Sequence, residues 1–227
     1  MITRKELIKK YLEFFQSKGH KIIPSASPAK GTVGVLVTVE GDGFDENEPL
    51  FIDFGMTNTI TITTASEWGT FSAIFTVDTQ HYGTTTVKVK GSTTPFTAID
   101  YFNILPNIFT VSPSQGTVGT IVTVCGNGYE AQEGIIIHFG LTRTITTTST
   151  DLIGSWTTTF TIDTQSFGST TIIASGLACG TSALNYFKIL PQLWSVTPTE
   201  GTVGKIVTIR GTGYKAGQVV TIHFGVT

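Results

Sequence analysis

Charge is scarce in this sequence. Only 13% of residues are charged and the formal net charge is −2, so the chain offers neither the basic stripe that a nucleic-acid backbone needs nor a strongly acidic field. No nucleic-acid partner is expected. Cysteine is nearly absent too, with Cys125 and Cys179 the only two, and two cysteines alone do not make a metal site. No run of about 18 apolar residues occurs, and the N-terminus lacks the apolar core and small-residue cleavage site of a secretory signal. Neither a membrane span nor an export address is visible. Missing as well are a Gly-rich phosphate loop, a zinc-protease helix string and a nucleophile elbow. The Gly-x-Gly strings that do occur follow strands and open no helix, so they are not dinucleotide sites. The expectation is a non-enzymatic chain with no catalytic, cofactor-binding or metal-ligating residues.

What is present is a repeat. The string Gly-Thr-Val-Gly starts at Gly31, Gly116 and Gly201, 85 residues apart each time. SPAKGTVG, SPSQGTVG and TPTEGTVG align on that spacing, as do GDGF, GNGY and GTGY from Gly41, Gly126 and Gly211. VDTQHYG at Val77 matches IDTQSFG at Ile162, and YFNILP at Tyr101 matches YFKILP at Tyr186, with no insertion or deletion. The charge is uneven around this array: residues 1–30 carry seven Lys/Arg against two Glu, while residues 31–227 carry seven basic against fourteen acidic residues. Two kinds of sequence are joined.

Within each copy the apolar residues alternate with polar ones and are bounded by Gly, Pro and Asn, the mark of half-buried antiparallel strands. Val37/Val39, Val122/Val124 and Val207/Ile209 form an inward face on one strand. Leu50/Ile52/Phe54, Ile135/Ile137/Phe139 and Val220/Ile222/Phe224 do so on the next. Phe71, Phe75 and Val77, with Trp156, Phe160 and Ile162, supply the bulk of the core. The aromatic of each Gly-x-Gly-aromatic turn is expected to plug the end of the core. The second copy reads as seven short strands: Phe109–Ser112, Thr120–Cys125, Gly134–Phe139, Arg143–Thr148, Ser155–Ile162, Thr170–Ala174 and Ala183–Ile189. Seven strands in 85 residues make an immunoglobulin-like sandwich.

The order SPxxGTVGxxVTVxGxGY…IxFG, with Pro28, Pro113 and Pro198 ahead of the glycines, resembles the IPT/TIG group of immunoglobulin-like domains, in particular the tandem copies of large prokaryotic surface proteins. The resemblance covers about residues 24–227. It implies an extracellular or cell-surface setting and a structural or adhesive role, with a surface protein or glycan as partner and self-association possible through edge strands. It names no ligand, because sandwiches host unrelated functions. The class is therefore all-β: repeat 1 over 24–107, repeat 2 over 108–192 and a partial repeat 3 over 193–227. That third copy stops after 27 of the 85 residues counted from Gly201, and is expected to hold three strands of a truncated sandwich that docks on copy two, pairs with another chain or remains loose.

Residues 1–23 differ. Thr3-x-x-Glu6 is a capping box, and Leu7, Ile8, Tyr11, Leu12, Phe14 and Phe15 fall on one face, predicting an amphipathic helix over 3–17. FFQSKGHKIIPSAS is similar to the start of alanyl-tRNA synthetase, over residues 1–27 alone. That resemblance implies alanine–tRNA ligation with ATP and tRNA binding, yet the arginines that would hold ATP phosphates have no counterparts: the chain's three are Arg4, Arg143 and Arg210.

Four smaller groups complete the reading. Cys125 and Cys179 are either a disulfide across one pole of the second sandwich or two partly exposed thiols. Asp42, Asp45, Glu46, Glu48 and Asp53 read as a solvated acidic loop, without the spacing of a calcium loop. His138 and His223 are equivalent outward strand positions, taken by Asp53 in copy one, and His20 packs or hydrogen-bonds in the synthetase-like turn. Trp68 and other exposed aromatics would serve a carbohydrate ligand.

Overall fold

The computed structural model describes Lys10 and residues 25–225. The helix expected over 3–17 lies outside these residues, apart from Lys10. The chain divides into two compact units. The first takes the residues up to Pro106 with Asn127–Ala131 and Leu152–Gly154; the second takes Asn107–Gly126, Gln132–Asp151 and the residues from Ser155 onward.

In the first copy the alternating segments become strands β1 (Ser25–Ser27), β2 (Lys30–Gly31), β3 (Leu36–Gly41), β4 (Pro49–Phe54), β5 (Thr57–Thr64), β6 (Phe71–Thr76), β7 (Gly83–Gly91) and β8 (Thr97–Ile104). They form two sheets of order β1-β3-β6 and β2-β8-β7-β4-β5. The second copy repeats them as β9 (Asn107–Ser112), β10 (Gln115–Gly116), β11 (Ile121–Asn127), β12 (Gly134–Phe139), β13 (Thr142–Ser149), β14 (Trp156–Thr161), β15 (Gly168–Gly176) and β16 (Ser182–Ile189). Its sheets run β9-β11-β14 and β10-β16-β15-β12-β13. This is a pair of immunoglobulin-like sandwiches, and the chain is all-β as expected.

The register repeats as faithfully as the sequence. Leu36 pairs with Thr76 and Ile121 with Thr161; Lys30 pairs in parallel with Asn103 and Gln115 with Lys188. Both sandwiches carry a bulge at the same place, between Ile52 and Phe54 and between Ile137 and Phe139. The seven strands expected in copy two are all present, and an eighth, β10, is added. Two residues long and parallel to β16, it is too short for alternation to reveal.

Burial follows the period of two. Val37, Val39, Leu50, Ile52, Phe54, Val87, Val89 and Phe102 are fully buried, as are Val122, Val124, Ile137, Phe139, Ile172 and Ile189. Phe54 stands at the centre of the first core, 5.0 Å from Phe75 and 5.6 Å from Phe102 between ring centroids. Phe139 repeats this with Phe160 at 5.3 Å and Phe187 at 6.0 Å. Phe44, from the Gly-x-Gly-aromatic turn, packs edge-on against Phe71 at 5.5 Å, and Tyr129 is fully buried.

The third copy departs from expectation. It forms β17 (Gln192–Thr197) and β18 (Thr208–Thr212), a two-stranded sheet, and residues 218–224 form no strand. Val207, Val220, Ile222 and Phe224, expected to face inward, are exposed. The reason is physical: in the complete copies these residues are covered by an opposing sheet, and among the described residues the third copy has none.

Candidate functional site

Two polar clamps recur in both sandwiches and set their loops. The first is a buried carboxylate. Glu48 accepts hydrogen bonds from the backbone N–H groups of Asp45, Thr93 and Thr94 and from the hydroxyls of Thr93 and Thr94. Burial alone would raise its pKa, but these bonds to the charged form outweigh that and hold it at about 2. Glu133 repeats the arrangement, accepting from the backbone N–H groups of Ala178 and Cys179. Gly91 and Gly176 lie so close to the two carboxylates that a Cβ at either would collide with them.

The second clamp explains the Asp-Thr-Gln string. The Gln80 side chain donates to Phe54 O at 2.7 Å and to Asp78 Oδ1 at 2.8 Å, and accepts from Met56 N. Thr57 donates its hydroxyl to Asp78. Gln165, Asp163, Thr142 and Leu141 reproduce every one of these bonds. The turn residue between the strands is Gly55 or Gly140, with φ of 52° and 51°, and a Cβ there would strike the glutamine Oε1.

With loops and core fixed alike, the copies differ on the outer face of the five-stranded sheet. In copy one the cross-strand row runs Ile99, Lys88, Asp53, with Tyr101 beside Thr86. Asp53 is buried, accepts from Thr59 N at 3.0 Å and pairs with Lys90. Desolvation pushes its pKa up, but the Lys90 bond, Thr59 N–H and the nearby ammonium charges bring it below the usual carboxylate value. In copy two the same row reads Leu184, Ile173, His138, with Tyr186 beside Thr171. One face is ionic, the other aliphatic. Both keep an exposed aliphatic–tyrosine pair, Ile99/Tyr101 and Leu184/Tyr186.

The acidic loop divides into exposed and buried carboxylates. Asp42, Asp45 and Glu46 are exposed as expected, but Glu48 and Asp53 are buried and hydrogen-bonded, which corrects their reading as solvated. The signal for Glu48 was its recurrence as Glu133 85 residues on, opposite Gly91 and Gly176; Asp53, replaced by His138, had none. No group of three or more His, Cys, Asp and Glu able to hold a metal occurs among the described residues.

Cys125 and Cys179 are half-buried free thiols in the structure. They belong to opposite sheets: Cys125 Sγ accepts from the Thr157 hydroxyl across β11 and β14, while Cys179 follows β15 and lies against Thr181. Burial pushes the Cys179 thiol up, with Glu133 adding to it. His138 is half-buried and His223 exposed; His20 lies outside the described residues. Trp68 is exposed on the connection between β5 and β6, its backbone N–H donating to Ser66 Oγ.

No protein-family model matches the chain, and no curated protein matches it. Among solved structures it is similar to the BSP domain of a biofilm associated protein, at 15% identity and a TM-score of 0.28, covering 74% of this chain and 29% of that one. It is similar to the adhesin InvE of Yersinia pseudotuberculosis at 13% identity and TM-score 0.32, covering 74% and 58%. A red sea bream transglutaminase is matched at 12% identity and TM-score 0.32, covering 80% and 34%. The chain thus spans less than two thirds of each of these proteins, and its fold class rests on the strand order and register above.

Proposed function

We propose that this chain is a non-enzymatic structural and adhesive module of a cell surface, built of repeats over 24–107, 108–192 and 193–227, and that it meets its partner through the outer faces of the five-stranded sheets. One observation carries the reading: the exposed pairs Ile99/Tyr101 and Leu184/Tyr186 recur at the same ladder positions although the residues around them have changed from ionic to aliphatic. An aliphatic residue beside a tyrosine, each about half exposed, leaves apolar area uncovered and offers a rigid amphipathic contact to a surface protein or glycan. The resemblance of the GTVG…GxGY…FG order to IPT/TIG repeats supports a surface setting, and the duplicated register supports a spacer role.

Cells displaying the chain should adhere to immobilised glycans or to surface-protein-coated supports, and Tyr101→Ser with Tyr186→Ser should reduce that adhesion at least fivefold while both sandwiches stay folded by hydrogen exchange. Undiminished adhesion in the folded double variant would reject the outer faces as the contact. Pyrophosphate exchange dependent on ATP and alanine should be nil in the purified chain, and a positive result would overturn the non-enzymatic reading.

A further inference from the structure

The glutamine clamp is built of groups that can react with one another. In copy one the Thr57 hydroxyl donates to Asp78 Oδ2, and the other oxygen of that carboxylate, Oδ1, accepts from Gln80 Nε2 at 2.8 Å. Gln80 Nε2 also donates to Phe54 O at 2.7 Å, and its Oε1 accepts from Met56 N at 3.2 Å. The amide is thus fixed in one orientation. Gln80 is only 3% exposed, and Thr57 and Asp78 are half-buried beside it. Copy two sets Thr142, Asp163 and Gln165 in the same relation, with Leu141 N on the amide oxygen and Phe139 O on its nitrogen. Holding the turn requires only the amide and the carbonyl of Phe54 or Phe139. The hydroxyl and the carboxylate add a nucleophile and a base to an acyl group, and they do so in both sandwiches.

We propose that each clamp closes into a covalent cross-link: Thr57 displaces ammonia from the Gln80 carboxamide, leaving an ester that ties the start of β5 to the β6–β7 connection, and Thr142 does the same with Gln165. Asp78 takes the hydroxyl proton through Oδ2 as Thr57 Oγ1 attacks Gln80 Cδ and the C–O bond forms. The Met56 N–H holds the negative charge that develops on Oε1. The C–N bond then breaks as the carboxylate passes the proton through Oδ1 to Nε2, which leaves as ammonia. Nothing is oxidised or reduced, and no co-reactant is consumed. One carboxylate holds both partners, so folding has already met the entropic cost of bringing them together. Burial keeps water from the ester once it has formed. Each link forms once and within its own sandwich, so the chain has no turnover and remains non-enzymatic. The clamps are a different part of the molecule from the sheet faces proposed above, and either inference can fail alone.

The test is the intact mass of the full chain, purified folded and incubated at neutral pH. The expected mass lies below that of the sequence by two ammonia molecules, and digestion should yield one peptide pair joined through Thr57 and Gln80 and another through Thr142 and Gln165. Hydroxylamine should part both pairs, because it cleaves an ester and spares amides. Thr57→Val should restore the mass of one ammonia, and Thr57→Val with Thr142→Val the mass of both, while amide exchange in β3 and β11 reports that the sandwiches stay folded. Thr57→Ser keeps the hydroxyl and should keep the link. Asp78→Asn should slow formation of the first link at least tenfold. The proposal is overturned if the mass equals that of the sequence, if the deficit survives in the folded double valine variant, or if the linked peptides join through residues other than these four.

Discussion

The two complete sandwiches share their strand pairing down to the bulge, and yet, among the described residues, only one of them carries an ion pair on its outer face, between buried Asp53 and half-exposed Lys90. Copy one places Asp53 under Lys90 and beside Lys88; copy two places His138 beside Ile173 with Ser175 in the place of Lys90. The cores and the two clamps, by contrast, match position for position: Phe54 and Phe139, Glu48 and Glu133, and Gln80 and Gln165 are identical, and the core changes elsewhere are apolar for apolar, as in Leu50 and Ile135. The difference separates what the fold requires from what it merely carries. An inward Phe or a clamping Glu cannot vary without cost, whereas the outer face tolerates a change from ionic to aliphatic.

If that division is right, equivalent core changes must cost the same in both copies. Phe54→Ala and Phe139→Ala should each destabilise their own sandwich by about 3–5 kcal/mol, read by hydrogen exchange of β3 and β11 respectively; a large inequality would break the equivalence. Acid should follow with a smaller effect. Glu48 is lowered from 4.5 to about 2 in the folded chain, so the unfolded state binds the proton more tightly, and stability present above pH 4.5 is lost as pH falls toward 2. The expected loss is about 3 kcal/mol, and Glu48→Gln should flatten that part of the stability profile for the first sandwich.

Two finer tests concern the outer face. Asp53→Ala removes the acceptor for Thr59 N and the partner of Lys90 and should cost roughly 1–2 kcal/mol, while the triple exchange Asp53→His, Lys88→Ile, Lys90→Ser, which installs the copy-two row, should stay within about 1 kcal/mol of the parent. A larger cost in the triple exchange would show that the face is not free to vary. The smallest expected effect has opposite signs in the two copies. Thr59 has φ of 54°, a left-handed conformation costly for a β-branched residue, and its equivalent Thr144 is not left-handed. Thr59→Gly should therefore raise stability by about 0.5–1 kcal/mol, and Thr144→Gly should lower it by a similar amount, both read as shifts in thermal midpoint.

The strands and core were legible because alternation and an exact 85-residue spacing report the same thing twice. Val37, Phe54 and their equivalents could be placed inward from period alone. Glu48, Gln80 and Asp53 could not. Their burial depends on partners up to 46 residues away in sequence, Thr93 and Thr94 for Glu48 and Lys90 for Asp53, and a charged residue in a turn is ordinarily solvated. The third copy misled for the complementary reason: its pattern is inward-facing, but a pattern buries nothing without an opposing sheet. The aliphatic–tyrosine pairs were equally hard to see, since alternation marks them as outward and says nothing of their use.

The parallel pairing of β2 with β8, and of β10 with β16, has a mechanical consequence. Ala29 O and Gly31 O accept from Asn103 N and Leu105 N, and Ser114 O and Gly116 O from Lys188 N and Leu190 N. These are the second and last strands of each sandwich, and they point the same way. Tension that reaches β2 or β10 from the N-terminal side and β8 or β16 from the C-terminal side therefore pulls the paired strands past one another, loading those bonds together instead of unzipping them singly, so that the shortest strand in each copy is the one placed to resist being pulled apart.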